Sequence, residues 1–243
     1  MELEHAQHLT RLMLRSSADT DSVVLDENIF GGATGHLEHI RTGIWNDLEN
    51  TVYFFETNAL HNLTELVLDL KYNPELFGRL LASAGIASCP LQRLYIGTSR
   101  PWDRKEDFET AFPRAGNADE RLPIIFRSFS ALQELYLPCD GISFGQLDVL
   151  PLLLGELPQL NHLYLGHSGD KDQPQCKFED AARAYSSVIG TTRSISWTGK
   201  RTIQVERHPD YSVKCLKAGE YRCPRWIHSH GIGEWWETGM VKR

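Results

Sequence analysis

Four side chains near the C-terminus have the chemistry to hold a soft metal: Cys215, Cys223, His228 and His230. Two thiolates and two imidazoles make a zinc set, but compact zinc sites are built on tight C-x2-4-C pairs. The spacing here is C-x7-C-x4-H-x-H, which matches no such signature. The four therefore read as two structural thiols and two surface histidines, with no metal assigned. Nucleophilic and phosphate chemistry find no better footing. The chain has ten histidines, none spaced against a candidate nucleophile. It has no P-loop, no G-x-S-x-G elbow, no H-E-x-x-H and no dinucleotide fingerprint. Gly231-Ile232-Gly233 is too short to cradle a phosphate. We expect a non-enzymatic protein with no cofactor. The rival reading is a zinc-binding C-terminal module or nucleic-acid adaptor, with the rest of the chain as its scaffold.

Whatever chemistry there is must be positioned by a repeating framework. One pattern, L-x-x-L-x-L, returns along the chain: Leu9-Leu12-Leu14, Leu63-Leu66-Leu68, Leu91-Leu94-Ile96, Leu132-Leu135-Leu137 and Leu160-Leu163-Leu165. Weaker copies are Leu37-Ile40-Thr42 and Thr192-Ile195-Trp197. Nineteen of these twenty-one positions are apolar, against an overall hydrophobic fraction of 41%. Successive central residues lie 28, 26, 28, 41, 28 and 32 apart. Three equal intervals of 28 suit a strand, a helix and two turns.

The pattern resembles leucine-rich repeats, whose units of roughly 20–29 residues stack into a curved solenoid. The resemblance spans about residues 9 to 198. It implies an α/β solenoid, irregular, with a curved parallel sheet on the concave face and helices on the convex face. We divide the chain into a solenoid of about seven repeats over 1–200, with an insertion near 99–120, and a non-repeat C-terminal cap over 201–243. The sequence departs from the family where an Asn or Cys ladder is usual. Those positions hold Ser17, Trp45, Lys71, Ser99, Asp140, Ser168 and Lys200, and only Ile142 supplies the leucine-like residue that should follow.

Helical stripes fill the intervals. Asn73-Pro74 reads as an N-cap with Pro at the first helical position, ahead of Leu76, Phe77, Leu80, Leu81 and Ala84 on one face and Gly85 at the end. Phe178, Ala181, Ala182, Tyr185 and Ile189 share another face, and Leu147, Leu150, Leu154 and Leu157 a third. In the last 45 residues Thr202 to Glu206 alternates like a strand, and Trp226, Trp235 and Trp236 crowd the end. A C-terminal cap over the final repeat accounts for them.

If the L-x-L leucines point inward, alternation sends the residue between them to the concave face. That row is Met13, Arg41, Val67, Tyr95, Tyr136, Tyr164 and Ser196. Three successive tyrosines are a candidate recognition ladder, since tyrosine offers apolar area and a polar tip at low entropic cost. They serve equally well as cross-strand packing that stiffens a sheet. The interval of 41 holds an insertion rich in charge, Pro and Gly that carries Trp102, Phe108 and Phe112. It is a tolerated surface loop or a recognition loop over one rim, with Trp102 its contact. Flanking charges run from Arg11, Arg15 and Arg41 at the start to Glu65, Asp69 and Glu134 further on.

The chain has 243 residues, and 25 basic against 32 acidic side chains give a net charge of −7. That balance argues against nucleic acid, which requires a concentrated basic face. No stretch approaches the roughly 20 apolar residues of a membrane helix, so no membrane association is expected. The N-terminus lacks the apolar core of a signal peptide, and five scattered cysteines suit a reducing cytoplasm or nucleus. Among leucine-rich-repeat proteins the chain looks most like the repeat region of fungal F-box-type substrate receptors. That likeness implies a protein partner on the concave face and substrate recognition for a ubiquitin ligase. The F-box is absent: the first motif begins eight residues after Met1. A fragment, a shortened paralogue, or association through the uncapped N-terminal repeat would each account for it.

Overall fold

The computed structural model describes residues 11–14, 36–42, 48–57, 60–70, 79–80, 83, 89–98, 129–140, 151, 154–166 and 175–221. Seven strands carry the repeated motif: β1 (Arg11–Leu14), β2 (His39–Thr42), β3 (Glu65–Leu70), β4 (Arg93–Thr98), β5 (Glu134–Asp140), β6 (His162–Gly166) and β7 (Ser194–Trp197). Two more, β8 (Arg201–Arg207) and β9 (Val213–Glu220), follow without a helix between them. All nine form one mixed sheet in chain order. β1 through β7 pair in parallel, while β8 and β9 return antiparallel. The molecule is thus α/β in character, and its sheet is parallel only as far as β7.

The register follows the motif. Leu12 pairs with Ile40, Ile40 with Leu66, Leu66 with Leu94, Leu94 with Leu135, Leu135 with Leu163 and Leu163 with Ile195. Every central residue named from the sequence is therefore the partner of the next, across intervals that range from 26 to 41. A local device at the entrance of each strand explains this constancy. The carbonyl of Glu38 accepts the N–H groups of both Thr64 and Glu65, at 2.9 and 3.0 Å. Thr64 does the same for Gln92 and Arg93, Gln92 for Gln133 and Glu134, Gln133 for Asn161 and His162, and Asn161 for Arg193 and Ser194. One carbonyl per unit clamps two amides of the next, so loop length elsewhere cannot shift the strand.

A turn precedes each clamp. Leu63 donates to the Leu60 carbonyl, Leu132 to Phe129, Leu160 to Leu157 and Thr192 to Ile189. The residue three before the motif is apolar in all four, and each is buried. In these four copies the motif is longer than L-x-x-L-x-L by one apolar position upstream, whereas Thr34 and Ser88 stand at that position before Leu37 and Leu91.

The motif leucines on β2 through β7 gather in a single apolar cluster. Among the described residues two helices cover it. Helix α1 (Leu48–Thr57) contributes Val52, Phe54 and Phe55, whose rings meet edge to face at 5.2 Å. Helix α2 (Gln175–Val188) contributes Phe178, Ala181, Ala182 and Tyr185, with Ile189 just beyond its end. That is the stripe read from the sequence, and Phe178 meets Trp197 of β7 edge to face at 5.3 Å. Helix α1 was not legible in the pattern. Of the expected stripe over 76–84, Leu80 is buried in the same cluster and the rest lies outside the described residues. Leu154 and Leu157 of the third stripe are buried as well, while Leu147 and Leu150 lie outside.

The switch to antiparallel pairing is made by a tight turn at 198–200. Gly199 has φ +67°, a left-handed conformation that costs a side chain dearly, and Lys200 donates back to the Trp197 carbonyl. β8 then alternates as its sequence suggests, with Thr202, Ile203 and Val205 buried and Gln204 exposed. The β8–β9 connection uses Pro209 and Asp210; the Asp210 carboxylate accepts from the Ser212 amide at 3.0 Å and its hydroxyl at 2.6 Å. Tyr211 takes φ 65° there and is 69% exposed.

Candidate functional site

The six parallel register steps convert two fixed offsets of the motif into two rows on the sheet face opposite the leucine cluster. The first runs Met13, Arg41, Val67, Tyr95, Tyr136, Tyr164 and Ser196, each the partner of the next. The antiparallel strands prolong it through Thr202 and Gly219. The backbone thus places six of the seven residues singled out for partner binding in one line. The seventh, Trp102, lies outside the described residues together with the insertion.

The tyrosines do not stand exposed on this face, which corrects the expected accessible ladder. Tyr95 is 1% exposed, Tyr136 2% and Tyr164 9%, with Val67 and Ser196 also buried. Parallel strands set in-register neighbours about 4.8 Å apart, close enough for rings to cover one another's faces. Tyr95 and Tyr136 do so, stacked with centroids 4.3 Å apart and planes 27° from parallel. The phenol tips of Tyr136 and Tyr164 are engaged as well. Tyr136 Oη shares a hydrogen bond with Thr198 Oγ1 at 3.1 Å, and Tyr164 Oη donates to Glu134 Oε2 at 3.4 Å. Ser196 Oγ and Thr202 Oγ1 share another at 2.8 Å. The row is a second packed layer, consistent with the covering of both faces usual for parallel sheets.

The second row lies one pleat towards the strand entrances: His39, Glu65, Arg93, Glu134, His162 and Ser194, again partner to partner. Its charges alternate from strand to strand over Glu65, Arg93 and Glu134. Glu65, 4% exposed, lies between His39 and Arg93. His39 Nδ1 lies 3.6 Å from its Oε2, Arg93 Nε lies 3.2 Å from the same oxygen, and His39 Nε2 approaches Glu38 at 3.8 Å. The Arg93 Nε–H makes an ion pair there without hydrogen-bond alignment. His162 Nδ1 shares a 2.7 Å hydrogen bond with Ser194 Oγ. Burial holds the His162 imidazole below its ordinary range, against the pull of Glu134. Arg93, Glu134 and His162 are only partly buried, so this row is more accessible than the tyrosine row beside it.

Of these residues the sequence reading singled out Glu65 and Glu134 as flanking charges and passed over His39, Arg93 and His162. A signal was present: the residue just before each central leucine is polar in every copy, Arg11 included.

The C-terminal Cys/His set is only partly described. Cys215 Sγ donates to Glu206 Oε2 at 3.0 Å, and Lys217 Nζ bonds the other oxygen of that carboxylate. By accepting a hydrogen bond from the thiol, the Glu206 carboxylate holds Cys215 above its usual range. Cys223, His228 and His230 lie outside the described residues. Among the described residues no cluster of three or more His, Cys, Asp or Glu could hold a metal. Cys89 is a buried core thiol, pushed up to about 12 by desolvation and so unreactive in the folded protein.

No protein-family model matches the chain, and neither does any curated protein or solved structure. Its functional reading rests on the residues themselves.

Proposed function

We propose that the chain is a leucine-rich-repeat interaction module, a non-enzymatic solenoid that holds a protein partner against the face carrying the two rows. The observation that supports this most directly is the alternating row Glu65, Arg93, Glu134, set at one offset of a motif repeated over six register steps. Such a row offers a partner a pattern of charge at fixed spacing, and charge pattern supplies specificity more than raw affinity. Behind it the stacked tyrosines act as a rigid bed. In this reading they position the charged row and do not themselves meet the partner. The β8–β9 hairpin closes the C-terminal end of the stack as a cap. By resemblance to F-box-type receptors, the partner is a substrate protein selected for ubiquitin transfer in the cytoplasm or nucleus. No helix of the described residues is long and apolar enough to cross a membrane.

Quantitative cross-linking capture from a native extract tests the proposal, with an Arg93→Gln/Glu134→Gln variant beside wild type. The control is Glu56→Gln/Arg79→Gln, which removes an exposed pair outside the two rows. A partner lost from the row variant and kept by the control supports recognition on this face. Identical partner sets from all three proteins would overturn it.

A further inference from the structure

His162 stands on β6 between two register partners, Glu134 on β5 and Ser194 on β7. Its Nδ1 shares a 2.7 Å hydrogen bond with the Ser194 hydroxyl, which turns about its C–O bond to donate to a neutral ring or to accept from a charged one. That side of the ring is satisfied in either protonation state. The other side is not indifferent. Glu134 attracts a charged imidazole across one strand step of about 4.8 Å, yet its Oε2 already accepts from Tyr164 Oη at 3.4 Å. A hydroxyl well bonded to a carboxylate lies roughly 2.5–2.7 Å from it, so the Tyr164 bond is a weak hold.

β5 and β7 are the strands that flank β6. Among the described side chains, the other titratable groups they bring to this face are Arg193 and Tyr136. Arg193 is exposed and opposes a charge on His162, as burial does; the Tyr136 hydroxyl is bonded to Thr198. One carboxylate thus has two competing donors, and only the imidazole changes its charge near neutral pH. We propose that His162 is a proton-operated switch: on protonation it takes the Glu134 carboxylate from Tyr164, and the row exchanges the charge of Glu134 for a neutral imidazolium–carboxylate pair. The glutamate makes the change by side-chain rotation alone, so the strands keep their register. Both groups are partly buried, where such a pair is stronger than in bulk water. The consequence for binding rests on the reading of this face as a partner surface. Acidification erases the alternation of Glu65, Arg93 and Glu134, and a partner selected by that pattern is released. The switch itself stands apart from that reading and is tested on the chain alone.

Solution NMR of the full chain carrying 13C-labelled histidine and tyrosine, followed from about pH 8 to about pH 5, provides the test. The His162 imidazole titrates with a midpoint below 6.5. The Tyr164 ring resonances move with that same midpoint, while those of Tyr53, on α1, stay still. In Tyr164→Phe the His162 midpoint rises, because the carboxylate has lost its competing donor. In Glu134→Gln the midpoint falls and the Tyr164 resonances no longer follow it. Circular dichroism across the range verifies that wild type and both variants stay folded. A Tyr164 ring indifferent to the titration, a His162 midpoint unmoved by Tyr164→Phe, or an imidazole that stays neutral throughout overturns the proposal.

Discussion

Glu65 and Arg93 are register partners on adjacent parallel strands, and Arg93 Nε lies 3.2 Å from a carboxylate that the fold leaves 4% exposed. A buried charge is tolerable only while its counter-charge is present. Arg93→Met should cost about 2–4 kcal/mol, since the glutamate is left with His39 alone. Glu65→Gln/Arg93→Met should be milder than the sum of the single changes. A double-mutant cycle by urea denaturation measures the difference, and strict additivity would contradict the pairing.

The stacked tyrosines separate two contributions that the same method can resolve. Tyr136→Phe keeps the stack on Tyr95 and removes the bond to Thr198, for a loss of about 1 kcal/mol. Tyr136→Ala also empties the ring's volume in a packed layer and should cost about 3–5 kcal/mol. Equal losses for the two variants would mean that the ring itself is idle.

Arg207 binds four backbone carbonyls: Ser186 and Ile189 through Nη2, both at 2.8 Å, Thr192 through Nε at 3.2 Å and Tyr211 through Nη1 at 2.6 Å. Ser186 lies in the last turn of α2 and Ile189 just beyond its end, where unpaired carbonyls and the helix dipole favour a cation. Arg207→Ala should destabilise by about 2–3 kcal/mol, and Arg207→Lys should recover only part of that because an ammonium cannot reproduce the fork. Thermal melts of the two variants provide the comparison.

Two turn positions should respond with opposite sign. Gly199 has φ +67° with no heavy atom within 4 Å of an added Cβ, so Gly199→Ala meets only backbone strain and should cost about 1–2 kcal/mol. Tyr211 already carries such strain at φ 65°. Tyr211→Asn, a residue that accepts this conformation, should stabilise by about 0.5–1 kcal/mol. Denaturation midpoints moving the same way for both would refute the assignment.

His162 makes stability depend on pH. Its folded value is depressed, first by burial, so between that value and the ordinary 6.5 the unfolded chain binds more protons. Stability attached to this group is complete above about pH 6.5 and falls as the solution is acidified through and below it. Urea midpoints at pH 7.5 and 5.5 should differ for wild type, and the difference should shrink in His162→Gln. An unchanged slope would show that other groups carry it.

How far the sequence reached depended on what each pattern encodes. Leu66, Leu94 and Leu135 named their own register because a clamp of two amides on one carbonyl sits at a constant offset from them. The α2 stripe was legible because Phe178, Ala181, Ala182, Tyr185 and Ile189 keep helical spacing without interruption. Helix α1 escaped notice because exposed Tyr53 sits among Val52, Phe54 and Phe55 and blurs the stripe. For Tyr95 and Tyr136, alternation identified the correct face of the sheet. It carried no information about ring stacking, and so none about exposure. Arg207 could not be foreseen, since three of its four partners are carbonyls 15 to 21 residues upstream that no side-chain pattern announces.

The entrance clamps set how the molecule comes apart. Each ties a unit only to its immediate neighbour, so the clamps themselves form a chain of nearest-neighbour couplings along the sheet. A lesion at an end strand frays that strand and spares the rest. Because the clamping group is a main-chain carbonyl, a central lesion must remove a clamped amide, as proline in place of Glu134 would, to weaken the coupling between two blocks, which can then melt at different temperatures. A calorimetric transition that splits for central substitutions and merely shifts for terminal ones is the behaviour such a chain of couplings dictates.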